Sequence, residues 1–134
     1  MTMAPGVFAA GVELAGISDM VAFHSDSDRY GRYLPDSELG PITENYDLWV
    51  ERSPVTHAAN ARNPLLILQG DRDLRVPPSQ SNAMIAALEK EGKVVEHHTY
   101  EGEAHGLRKC ESIRDYINRM ENFLTRYVLE RGFV

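Results

Sequence analysis

Two residues in this 134-residue sequence have the types and setting that acid–base chemistry needs: Asp73 and His105. They stand 32 positions apart, in the stretches Asp71 to Arg75 and Glu101 to Leu107. A buried carboxylate that accepts the Nδ1 proton of an imidazole fixes its tautomer and stabilises the imidazolium. The other ring nitrogen is then free to take a proton from a serine hydroxyl. Gly102, Ala104 and Gly106 keep the chain around His105 small, so that a substrate can come close. Asp71 is a competing acid in the same loop.

Other groupings read more plainly. Glu96, His97, His98, Glu101, Glu103 and His105 are a dense set of metal-ligand types. On a strand, however, Glu96 and His98 share one face while His97 takes the other. A catalytic zinc needs three converging ligands, so a polar edge surface is expected, with no metal and no cofactor. Cys110 lies early in a helix, where a thiolate would be stabilised, but an ordinary small residue is the simpler reading. Asp71-Arg72-Asp73 has the make-up of an acidic phosphate or magnesium loop, yet no Gly-rich phosphate loop accompanies it. Trp49 with Tyr46 suits the packing of a short helix better than the lining of a pocket.

The elements that must position Asp73 and His105 can be read from the patterning. Val7 to Gly16 is apolar and bounded by Gly and Pro, and its second half reads as a buried strand. From Ser18 to Arg62 the pattern weakens. His24 to Asp28 and Leu34-Pro35-Asp36-Ser37 read as turn and loop, Glu44 to Glu51 as a short helix, and Ser53-Pro54 as a turn. Pro64 to Gly70 is the clearest strand, and its unbroken apolar run implies burial on both faces, as in a parallel sheet. Pro77 and Pro78 open a helix whose apolar face holds Met84, Ala87 and Leu88, and Gly92 stops it. Val94 to Tyr100 reads as a more polar strand nearer an edge. A closing helix carries Ile113, Tyr116, Ile117, Met120, Phe123, Leu124 and Tyr127 on one broad apolar face. Strand, irregular insert, strand, helix, strand, helix is a parallel α/β order. In such sheets functional loops lie beyond the carboxyl ends of the strands, which is where Asp73 and His105 fall.

Composition narrows the classes. The chain has the size of one modest domain. With 14 Lys and Arg against 20 Asp and Glu, its formal charge is −6. No basic patch stands out to replace counterions, so no nucleic-acid partner is expected. No apolar run approaches the roughly 20 residues that span a bilayer, so no membrane partner is expected either. Nothing at the start marks a signal peptide. The single Cys110 points to a reducing compartment, and a cytoplasmic location is the expectation.

Taken together, Gly70-Asp71-Arg72-Asp73-Leu74-Arg75-Val76-Pro77 with Gln80, then Tyr100-Glu101-Gly102-Glu103-Ala104-His105-Gly106, resemble the end of the prolyl oligopeptidase family. Phe8 to Val12 leading to Gly16-Ile17-Ser18-Asp19, and Ser53-Pro54 ahead of Pro64-Leu65-Leu66, extend the resemblance from about Pro5 to the C-terminus. It implies a serine peptidase with an α/β-hydrolase fold, of which residues 1–134 would form a C-terminal portion with about three parallel strands and flanking helices. By position, Asp73 matches the triad acid, two residues before Arg75, which favours it over Asp71. His105 matches the triad base, and Arg75 a family position close to the site, making it a substrate-binding candidate. The Gly-x-Ser-x-Gly elbow of such folds is absent, and none of the eight serines lies in that setting. The nucleophile is therefore expected upstream of this chain, which would be inactive alone. The expected partners are a peptide or small ester substrate and the missing N-terminal part of the enzyme. A second copy could instead pair through the unpaired edge of the strand at Gly11 to Ala15. The alternatives are an esterase or acyl hydrolase of the same fold, or a catalytically dead fragment acting by association.

Overall fold

The computed structural model describes residues 1–130. Its centre is a three-stranded parallel sheet in the order β1 (Gly11–Leu14), β2 (Leu65–Gly70), β3 (Val95–Tyr100). Gly11 stands opposite Leu65, and Leu65 opposite Val95, so the three strands begin in step. All six residues of β2 are buried. Because alternate side chains leave a strand on opposite faces, its apolar run feeds two cores at once. Leu65 and Ile67 pack with Met84, Leu88, Ala58 and Ala61 on one face. Leu66 and Leu68 pack with Tyr100 and Phe123 on the other. Full burial of a side chain like Phe123, 1% exposed, stabilises by about 2–3 kcal/mol.

The first core is closed by α4 (Pro78–Lys90) and a 3₁₀ segment, Pro54–Asn60; the second is closed by α5 (Cys110–Leu124). Gly92 ends α4 as the sequence suggests. It adopts φ +63°, and its neighbour Lys93 donates back to the Leu88 carbonyl at 2.9 Å. The expected broad apolar face of α5 is divided. Tyr116, Phe123, Leu124 and Tyr127 pack on the sheet, whereas Ile113 and Ile117 are exposed. β1 and β3 each have one strand neighbour, β2, among the described residues.

The insert between β1 and β2 holds the short helix expected at Glu44 to Glu51, but His24 to Asp28 and Leu34 to Ser37, expected as turn and loop, lie largely in helices as well. It forms three helices, α1 (Met20–Asp26), α2 (Arg29–Leu39) and α3 (Ile42–Glu51). The starts of α1 and α2 are capped by side chains: Asp19 accepts from the Ala22 amide and Asp28 from the Gly31 amide. Gly40, at φ +75°, terminates α2. Pro35 lies inside α2 and is buried, so Leu34 to Ser37 is helical despite the missing amide donor. Packing on α1 and α3 outweighs the local cost. Trp49 is fully buried at the centre of the insert, its indole N–H donating to the Gly40 carbonyl at 3.1 Å, while Tyr46 stays exposed. Trp49 is thus a packing residue. Among the described residues no helix is long and apolar enough to cross a membrane.

Candidate active site

The carboxyl end of β2 runs directly into the acid turn. Asp73 is 1% exposed. Its Oδ1 accepts the amides of Arg75 and Val76, each at 2.9 Å, which holds the carboxylate against its own turn. Its Oδ2 lies 2.8 Å from His105 Nδ1. Since an ionised carboxylate only accepts, Nδ1 carries the proton in this pair. The His105 side chain remains 49% exposed, leaving Nε2 open to solvent and to a reactant. Asp71, the competing acid, is exposed and accepts instead from the Gly102 amide at 2.6 Å, fastening the two loops together.

The His105 loop is set by backbone contacts and by one residue that sequence reasoning had read as part of a polar edge surface. Arg72 donates its amide to the Glu103 carbonyl at 2.9 Å, and Gly106 takes φ +91°, a region open to glycine. Glu103 is buried at 2% exposure, and its two carboxylate oxygens accept the amides of Arg108 and Lys109 at 2.9 Å each. It therefore satisfies free N–H groups just ahead of α5. Its signal in the sequence was its position a few residues before a helix start. The Arg108 amide above all, aided by Lys109 and Ser112, holds the Glu103 carboxyl below the usual 4.5 despite the opposing effect of burial. A depressed folded-state pKa contributes stability above the ordinary value and loses it as pH falls through the depressed one. A glutamine can offer these two amides only one carbonyl oxygen. Glu103→Gln is expected to lower the Tm by several degrees at pH 7. The deficit should shrink below about pH 4, and thermal melts at both pH values check it.

At the end of β3, burial and the bond to Asp115 push the Tyr100 phenol up to about 12, so it stays a donor to Asp115 Oδ2 at 3.1 Å. The remaining candidate ligands are dispersed. Glu96 pairs with Arg126 at 2.8 Å, and His98 lies 3.9 Å from Asp115. Among the described residues no three His, Cys, Asp or Glu side chains are grouped to hold a metal ion. Cys110 is exposed as the first residue of α5.

Beside His105 opens a cleft of about 390 Å³ whose walls include Phe23, Tyr30, Leu34, Arg75 and Val76. Arg75, singled out in the sequence, therefore shares a cavity with His105. Tyr30 and Leu34, on α2, were not anticipated, because that segment reads locally as loop. No serine bonds to His105. Ser18, Ser53 and Ser81 are buried on Gln80, Trp49 and Gln69, and Ser27 donates to the Arg75 carbonyl. Ser25, Ser37 and Ser79 bond to Ala22, Leu34 and Asp26, and Ser112 to Glu103.

The chain is 34% identical over 122 residues to an uncharacterized peptidase, YuxL, of Bacillus subtilis, covering 90% of this chain and 18% of that protein. It is 30% identical over 131 residues to dipeptidyl aminopeptidase BIII of Pseudoxanthomonas mexicana, covering 94% and 19%. A puromycin-hydrolyzing peptidase of Mycobacterium tuberculosis superposes with a TM-score of 0.91 at 31% identity, over 95% of this chain and 19% of that one. The chain thus spans about a fifth of the length of these relatives. Their shared sheet is that of the α/β-hydrolase peptidases, the fold of this chain. With the prolyl oligopeptidase family model matching residues 1–131, the chain belongs to that family of serine peptidases.

Proposed function

We propose that this chain supplies the acid–base half of a Ser-His-Asp hydrolase, with the serine provided by sequence outside it. The observation that carries the reading is the 2.8 Å contact from His105 Nδ1 to a fully buried Asp73 oxygen, with Nε2 facing the cleft side. In this reading His105 Nε2 takes the serine hydroxyl proton as the oxygen attacks the scissile carbonyl. Asp73 stabilises the imidazolium without itself taking the proton. Nε2 then passes the proton to the leaving amine, and in the second half-reaction it deprotonates the water that releases the acyl group. The substrate is a peptide or an acyl-amide. Phe23, Tyr30, Leu34 and Val76 give the cleft walls suited to an apolar side chain, and Arg75 at the same cleft offers donors to a carbonyl oxygen.

Because every serine here is bonded elsewhere, the isolated chain is expected to remain unlabelled by a fluorophosphonate probe. A hybrid tests the other half: residues 1–131 replacing the matching segment of the Mycobacterium tuberculosis puromycin-hydrolyzing peptidase. That hybrid is expected to label and to hydrolyse puromycin. Labelling of the isolated chain on one of its own serines, located by mass spectrometry, would overturn the reading.

The open side of β1 supports a second expectation. Its outer backbone groups have no strand partner among the described residues, and Met3, Phe8 and Leu14 nearby are exposed. Such an edge is a template for another chain. The isolated chain is expected to self-associate at tens of micromolar in analytical ultracentrifugation, and Val12→Pro to weaken that association. A compact monomer at those concentrations excludes it.

A further inference from the structure

The junction between α1 and α2 holds a cluster for which the acid–base pair does not account. Asp28 there does two things at once. Its Oδ1 caps α2 by accepting the Gly31 amide at 2.8 Å, and both its oxygens receive Arg75 Nε at 2.9 Å. The backbone on either side is tied as well. The Asp28 amide donates to the Leu74 carbonyl at 3.1 Å, and the buried Ser27 hydroxyl to the Arg75 carbonyl at 2.6 Å. The Arg75 guanidinium lies 5.4 Å from the centre of the Tyr30 ring, on the first turn of α2. Gly31 admits this approach, since a Cβ there would sit 1.8 Å from the Ser27 hydroxyl oxygen.

We propose that Asp28 is a positioning residue that locks Arg75 and helix α2 into one arrangement, so that the guanidinium and the Tyr30 ring meet the substrate as a single surface. The proposal rests on the reading of Asp73 and His105 as the acid–base pair of the same cleft. An exposed ion pair alone contributes little, because two long side chains must be ordered to form it. Here the two backbone bonds already hold the segments side by side, and Asp28 is a short side chain anchored by its own cap. Its hold on Nε leaves both terminal NH2 groups of Arg75 without a partner among the described residues. Those donors, in a planar fork, suit a carbonyl or carboxylate oxygen on the acyl side of a substrate. Without Asp28 the fork would swing on a flexible stem, and the substrate would have to order it on binding.

Asp28→Asn separates the two jobs, because asparagine caps helices as well as aspartate does but carries no charge for Arg75. In the full chain, NMR is expected to show faster water exchange at Arg75 Nε–H and a moved Tyr30 ring resonance, with the His105 Nδ1–H signal retained. In the hybrid peptidase, Asp28→Asn is expected to raise KM for puromycin about tenfold with kcat within about twofold. Placed in an Arg75→Met background it should add nothing further, since a residue acting through another loses its effect when that other is gone. An Asp28→Asn effect undiminished by Arg75→Met overturns the proposal, as does an equal fall in kcat and kcat/KM. Unchanged exchange at Arg75 Nε–H in the full chain also overturns it, and that readout decides alone if the hybrid does not fold. His105→Ala in the same hybrid tests the underlying acid–base reading separately, because it moves kcat and leaves the Arg75 signal in place.

Discussion

In the hybrid peptidase, Asp73→Asn is expected to lower kcat for puromycin by about 10⁴-fold, and His105→Ala by at least as much. The size of the first effect follows from the acid turn. Asp73 Oδ1 is held by two backbone amides, those of Arg75 and Val76. An asparagine must therefore keep its carbonyl oxygen there and turn its NH2 toward His105. A donor facing Nδ1 makes that nitrogen an acceptor and moves the ring proton to Nε2, the atom that has to accept from serine. The side chain is nearly isosteric, so folding and KM change little while the base is held in the wrong tautomer. The double variant is expected to be no slower than His105→Ala alone, because the two residues act as one unit. Steady-state kinetics on purified, folded hybrids checks this; retention of wild-type kcat in Asp73→Asn would remove Asp73 from the proton-transfer step.

The second large effect lies one turn earlier, at Gly70. The last residue of β2 passes directly under the His105 loop. A Cβ at Gly70 would stand 2.5 Å from the Glu103 carbonyl oxygen and 2.7 Å from that of Ala104. Both obstacles are backbone, so no side chain can swing aside, and the loop itself has to rise. Gly70→Ala should cost roughly 2–4 kcal/mol, seen as a Tm lower by about 10 °C. It should also pull His105 off Asp73. The far-downfield Nδ1–H proton resonance of a carboxylate-bound histidine, expected of the wild-type chain from the 2.8 Å contact, should vanish. A variant that keeps both this resonance and the wild-type Tm would show that the loop does not rest on Gly70.

The parts of the fold legible in the sequence are those where one local signal dominates. The apolar run from Leu65 to Leu68 has no polar face to lose, so a doubly covered parallel strand was the economical reading. The stop at Gly92 was equally open to view; topology brought the loops of Asp73 and His105 to one end of the sheet, and the family resemblance chose Asp73 over Asp71. Of the insert only the short helix at Glu44 to Glu51 was legible, for a physical reason. Pro35 and the Ser- and Asp-rich junction at Ser25 to Asp28 favour turns locally, and only burial of Phe23 and Trp49 makes helices there stable. With α2 unread, Tyr30 and Leu34 could not be placed beside His105, nor Asp28 on Arg75. Glu103, read as part of a polar edge surface, was corrected for a related reason: it is buried, and its role shows only once the helix it caps is seen to begin at Cys110.

Asp73 and His105 both hang from one crossover, β2 through α4 to β3, whose register runs without interruption from Leu65 opposite Val95 to Gly70 opposite Tyr100. The cleft wall comes from elsewhere, the helical insert, and is tied to that crossover by hydrogen bonds at Ser27, Asp28 and Gln80. A strand covered on both faces opens at higher free energy than helices covered on one, so in hydrogen exchange the amides of β2 are expected to outlast those of α1 and α2. The pair and the wall beside it are carried by separate stretches of one short chain.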